Sequence, residues 1–238
     1  MSNSDIHFYF DPVCPFAWMT SKWIRLVQAR RGLTADWRFI SLRQINAHVD
    51  YAAHFPPEYE AQHTAGLRLL RVASAVREQH GREAVGRLYA AFGARVFETA
   101  PEDGGGWQAT GDLAVDALAD AGLPVSLAAA LDDTSRDAEI QAESDEALSL
   151  TGKDVGTPII HFEPPHGVAF FGPVISRMPD EEQAVELWDH VVGLARFPGF
   201  AELKRSLREQ PQLPSFGVGA QETGEVEDWH AGSRRLKK

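Results

Sequence analysis

Asp11-Pro12-Val13-Cys14-Pro15-Phe16-Ala17-Trp18 sits where one hydrophobic period gives way to another. Before it, residues 5–10 (DIHFYF) alternate in polarity and are rich in aromatics, which predicts a short strand. After it, Trp18, Trp23, Leu26 and Val27 recur at helical spacing, and Arg30, Arg31 and Gly32 supply a basic last turn and a stop, so residues 14–31 read as a helix. Residues 34–42 (TADWRFISL) alternate again, with Trp37, Phe39 and Ser41 on one face and Arg38 and Ile40 on the other. The first 42 residues thus form a β–α–β unit. Cys14 lies at its strand-to-helix turn.

Further along, the period changes. From about residue 58, Leu67, Leu70 and Ala73, then Val85, Leu88, Tyr89, Phe92 and Val96, follow one helical face until the loop 101–107 with Gly104-Gly105-Gly106. Helices are expected at 111–121, 124–132 and 136–150, and no strand in between. Strand patterns return at 158–163 (PIIHFE) and 167–171 (GVAFF), joined by a short Pro-Pro-His-Gly connector that suits a hairpin. Helices are expected at 180–196 and 199–209. Residues 211–238 are rich in Pro, Gly and charge and read as an extended tail. The order β–α–β, helical block, β–β–α predicts an α/β protein with a thioredoxin-like layout and a large all-helical insertion. The expected division is 1–57, 58–152, 153–210 and 211–238.

Composition narrows the function. With 238 residues, 44% hydrophobic and 24% charged, the chain can bury a sizeable core without staples. A net charge of −11 argues against a nucleic-acid partner. No apolar run of transmembrane length and no basic-then-apolar leader is visible, so no membrane association and a cytoplasmic location are expected. The single cysteine excludes an internal disulfide and a Cys-rich metal site, and the nine histidines show no metal-binding spacing.

A lone cysteine is usually a small apolar filler. The position of Cys14 argues otherwise. The first N–H groups of a helix lack intrahelical partners and carry partial positive charge, so the turn is expected to favour the thiolate and lower the Cys14 pKa. Pro15 suits an early helical position. Asp11 is expected to act the other way if it lies close to the sulfur.

The stretch DPVCPFAW resembles the active-site segment of DsbA-like thioredoxin-fold proteins, normally Cys-Pro-aromatic-Cys. The wider pattern FDPVCPFAWMTSKWI, RFISLRQIN, DVGTPII and FFGPVISRMP is most similar to the mycothiol-dependent nitroreductase branch, over roughly residues 5–200. That resemblance implies a thiol–disulfide oxidoreductase with Cys14 as catalytic residue. It implies that Pro158 is a cis-proline facing the cysteine and that Thr157 presents backbone groups there. Pro15, Phe16, Ala17, Trp18, Thr157 and Pro158 are the implied substrate- or thiol-binding residues, with Phe16 expected near the surface. Ala17 stands where dithiol members carry a second cysteine. Cys14 can attack a disulfide but needs an external thiol for release: mycothiol, glutathione or a redoxin. The expected co-substrate is therefore a low-molecular-weight thiol, with no tightly bound cofactor. The other partner is a small electrophilic or disulfide substrate, and a homodimer is allowed.

Two other readings stay open. A kappa-class-like thiol transferase or isomerase shares the helical insertion but usually has serine in this turn. A non-catalytic binding protein would keep the scaffold alone. Trp18, Trp37 and Trp107 suit either an apolar cleft or the core, and core is the commoner role. Ser41, Leu42 and Asn46, after the second strand, suit a loop cap or a substrate contact, the cap being commoner.

Overall fold

The computed structural model describes residues 4–54, 58–100, 111–152, 155–230 and 233–234. Its central sheet has four strands in the order β2-β1-β3-β4: β1 (Ile6–Phe10), β2 (Ala35–Phe39), β3 (Ile159–Phe162) and β4 (Ala169–Phe171). β1 runs parallel to β2 and antiparallel to β3, and β3 runs antiparallel to β4. Between β1 and β2 lies α1 (Pro15–Arg31). Its C-terminus is closed by Gly32 at φ 68, a left-handed conformation that glycine adopts without Cβ strain.

Alternation along β1 decides what each sheet face buries. Phe8 and Phe10 pack with Trp37 and Phe39 into the main core. Tyr9, Ile40 and Ile159 form a second cluster on the opposite face with Ala147. The helices between β2 and β3 are α2 (Leu42–Ile45), α3 (Tyr51–His54), α4 (Tyr59–His80), α5 (Arg82–Phe97), α6 (Gly111–Asp120) and α7 (Asp137–Thr151). Among the described residues of this block there is no strand. α7 covers the Tyr9 side, where Tyr9 Oη donates to Glu146 (3.0 Å) and the Ser41 amide donates to Ser144 Oγ (3.0 Å). α8 (Glu181–Ala195), opened by an Asp180/Gln183 capping box, packs on α1, where Trp23 Nε1 donates to the Ala184 carbonyl at 2.8 Å.

α4 and α5 approach the Cys14 turn through glycines. A Cβ at Gly66 would overlap the Asp11 carboxylate, and one at Gly93 would overlap the Trp18 ring. Tyr89 of α5 stacks on Phe10 with centroids 3.8 Å apart, worth about 0.5–1.5 kcal/mol beyond area burial.

Several elements differ from the sequence-based expectation. The helical run from residue 58 breaks at Gly81 (φ 81), a backbone conformation that ends α4 and opens α5. The segment Val125–Asp132 is a 3₁₀ helix rather than an α-helix. The helix expected at 199–209 does not form: Gly199 turns the chain at φ 84, Leu203 is exposed, and Leu207–Glu209 is instead a strand, β5. β5 pairs with β6 (Val226–His230), which pairs with β7 (Ser233–Arg234). Within this C-terminal stretch Leu213 and Val218 are buried. α2 and α3 gave no sequence signal, being one turn each. The glycines at 104–106 and Trp107 lie outside the described residues.

The glycine contacts give a paired test by chemical denaturation. Gly93→Ala should lose about 1–3 kcal/mol, because overpacking against a rigid indole outweighs the helix gain. Gly193→Ala in α8, where a Cβ meets nothing within 4 Å, should gain about 0.5–1 kcal/mol.

Candidate functional site

Cys14 is the N-cap of α1, with φ −85 and ψ 113. Its Sγ accepts from the Ala17 amide at 3.4 Å and donates to the Thr157 carbonyl at 3.3 Å. Thr157 is anchored in turn, its Oγ1 donating to the Tyr9 carbonyl of β1 at 3.1 Å. The Thr157–Pro158 bond is cis. Residues 143 positions apart thus meet at the sulfur because β1 and β3 are neighbours, which brings Cys14, Ala17, Thr157 and Pro158 together. The sulfur is covered: Cys14 is 8% exposed and Ala17 fully buried.

Burial overturns two expectations. The Cys14 thiol is pushed up to about 12, not down. Loss of solvent is the main cause. The Ala17 amide favours the thiolate, Asp11 opposes it, and the Phe16 amide and the Arg208 charge favour it. Phe16 is 3% exposed rather than superficial: it belongs to the main core, and Arg208 of β5 places its guanidinium over the ring, 5.6 Å from the centroid. Arg208 carried no sequence signal: it falls in a stretch without apolar period.

Trp18 and Trp37 prove to be core. The Trp18 indole donates to Glu98 at 2.7 Å and meets Tyr89 edge-on at 5.8 Å, which packs it against α5. Trp37 lies against Phe8 and under the Arg25 guanidinium, 4.3 Å from its ring. Ser41 Oγ caps α2 through the Gln44 amide (3.3 Å), and Asn46 Nδ2 donates to the Leu42 carbonyl (2.8 Å), so both are loop caps. No group of three or more metal-ligating side chains occurs among the described residues, and no helix among them is long and apolar enough to cross a membrane.

Asp11 is the buried acid of the site. Its Oδ1 accepts from the Val13 amide (3.0 Å) and its Oδ2 from the Leu42 amide (2.7 Å), tying the Cys14 turn to the loop after β2. Burial lifts its pKa to about 7, against the pull of those two amides. A carboxyl with a raised folded pKa loses stability as pH rises from its unfolded value, ~3.9, to its folded one, because only the unfolded chain releases the proton in that window. From pH 4 to pH 7 that loss is roughly 3 kcal/mol. Unfolding curves of Asp11→Asn should therefore shift by about that much in the variant's favour, relative to wild type, between pH 4 and pH 7; parallel curves would contradict an uncharged Asp11.

Comparison with known proteins agrees with this fold. The family model described as Rv2466c-like, mycothiol-dependent nitroreductase Rv2466c, matches residues 13–205. The uncharacterized protein Rv2286c of Mycobacterium tuberculosis (strain ATCC 25618 / H37Rv) is 33% identical over 201 residues, 84% of this chain and 81% of its own. Among solved structures, a 2-hydroxychromene-2-carboxylate isomerase superposes with a TM-score of 0.52 at 14% identity, over 80% of this chain and 96% of that one. The cytosolic disulfide reductase DsbM from Pseudomonas aeruginosa gives 0.50 at 14% identity, over 80% and 99%. At such identities the structural likeness speaks for the fold, a DsbA-like thioredoxin fold with a helical insertion. Taken with the family match over most of its length, the chain belongs to the Rv2466c-like family.

Proposed function

We propose that the protein is a cytoplasmic monothiol oxidoreductase that exchanges disulfides through Cys14 with a low-molecular-weight thiol, mycothiol before glutathione. The observation that carries this is the placement of the chain's single cysteine: its Sγ lies at the N-terminus of α1 and 3.3 Å from the Thr157 carbonyl. Membership of a family whose model is named for a mycothiol-dependent enzyme supports the choice of thiol.

In the covered state the sulfur is a thiol, held by the Thr157 carbonyl. Admission of solvent or substrate removes the main cause of its raised pKa, and the Ala17 and Phe16 amides then favour the thiolate. The Cys14 thiolate attacks a substrate disulfide, forming a Cys14–substrate disulfide and releasing one substrate thiolate. With Ala17 in place of a second cysteine, no intramolecular release exists. An external mycothiol thiolate attacks the mixed disulfide, regenerating Cys14 and leaving as mycothiol joined to the substrate. One thiol is oxidised and one half of the substrate disulfide reduced in each round. Small electrophiles that accept a thiolate would enter at the same sulfur. Pro15, Phe16 and Pro158 are assigned as the surroundings of the incoming group.

Mycothiol-dependent reduction of bis(2-hydroxyethyl) disulfide should be catalysed by wild type and not by Cys14→Ser. Equal rates for the two would reject the assignment in favour of a binding protein, the reading that a buried, raised-pKa thiol favours. A second check concerns the missing cysteine. The Ala17 amide is 3.4 Å from Cys14 Sγ, so Ala17→Cys sets a second sulfur within bonding reach. Mild oxidation of that variant should remove both titratable thiols; two persisting thiols would reject a thioredoxin-like turn.

A further inference from the structure

Arg208 lies beyond residue 205, where the family match ends, yet it lies over a residue of the Cys14 turn. Its guanidinium covers Phe16, the second residue after Cys14, at 5.6 Å from the ring centroid. The strand that carries it is fixed on both sides. On one side Ser176 Oγ donates to the Glu209 carbonyl (2.9 Å), the Gln212 amide donates to the Ser176 carbonyl (2.8 Å), and Arg177 grips the Glu209 carboxylate through Nε (2.7 Å) and Nη2 (2.9 Å). On the other, Leu207, Arg208 and Glu209 pair in register with Asp228, Glu227 and Val226 of β6. Arg208 is therefore delivered to the Cys14 turn by a held strand, half-buried, and not by a loose surface side chain.

Charge makes the placement consequential. Among the described residues, the ionisable groups that act on Cys14 include Asp11 from the turn itself, Tyr89 from α5 and Arg208 from β5, and Glu227 of β6 stands opposite Arg208 in the strand register. Arg208 is the cation among them. Its own pKa is lowered by burial and raised in return by Cys14, as expected for two groups within coulombic reach.

We propose that Arg208 is a positioning residue of the Cys14 site, supplied by the C-terminal strand to hold the thiolate when it forms. This deepens the proposed exchange chemistry and rests on Cys14 being its reacting group. A cation near a thiolate favours the charged form, and a guanidinium fixed over Phe16 can do so without leaving its packing place.

The test is the pH dependence of Cys14 alkylation by iodoacetamide, a neutral reagent that needs no thiol partner. Arg208→Gln should slow alkylation about tenfold at every accessible pH, which is the shift of the rate profile that a midpoint raised by about one pH unit produces. Arg208→Lys should restore most of the wild-type profile, and Arg205→Gln, an exposed neighbour on the same segment, should leave it unchanged. Arg208→Met keeps a long side chain over Phe16 without the charge and serves where Arg208→Gln does not fold. A midpoint that stays or falls in the uncharged variants would overturn the proposal and leave β5 as a cover only, since loosening a cover lowers the midpoint. A raised midpoint with no mycothiol exchange in wild type would reject the exchange chemistry and keep Arg208; intact exchange with an unmoved midpoint would reject Arg208 alone.

Discussion

The contact between Cys14 Sγ and the Thr157 carbonyl is the constraint around which the rest of the molecule is arranged. It requires β1 and β3 to be neighbours, so that the turn leaving one strand meets the residue entering the other. It also requires the Cys14 turn to be held from the opposite side. Asp11 does this with two backbone amides, one in its own turn and one at Leu42. The lack of a side chain at Gly66 lets α4 close over that carboxylate. The helical insertion is thus coupled to the sulfur through Asp11 and Val13, and to α1 through Gly93 and Trp18.

Two effects compete at the sulfur, and their sizes decide the resting state. A helix N-terminus contributes typically 0.3–1 kcal/mol toward an anion, and about 2 in favourable buried geometry. Moving the thiol from its free value near 8.5 to about 12 weighs roughly 4–5 kcal/mol against the thiolate. Burial wins, so the covered site stores a thiol. The proposed exchange therefore requires solvent or a partner at the sulfur, after which the amides of Phe16 and Ala17 and the Arg208 charge all act in the thiolate's favour.

Much of this was legible in the chain. The alternation of Phe8, Phe10, Trp37 and Phe39 against Tyr9, Arg38 and Ile40 gave both faces of the sheet, and the 3.6 period gave the helical block. The strand-to-helix position of Cys14 and the Gly156-Thr157-Pro158 stretch located the site's two halves. Helix-end signals alone could not show that the turn would be covered. Phe16 looked superficial because its cover comes from nearly two hundred residues away, in a stretch whose Pro, Gly and charge hide a strand. Leu207, Arg208 and Glu209 form a strand because β6 and Ser176 accept them, not through their own propensity. Trp18 and Trp37 show the reverse case. Their size fitted a ligand cleft, but packing against Tyr89 and the glycines of α5 made them core.

The central claim, that Cys14 forms a disulfide with a small thiol and is released by a second one, is tested most directly by intact-mass measurement. The native protein is incubated with mycothiol disulfide, then with free mycothiol. The account predicts a single added mycothiol, located at Cys14, absent in Cys14→Ser and removed by the free thiol. A native protein that stays unmodified, or whose adduct resists free mycothiol, would contradict it.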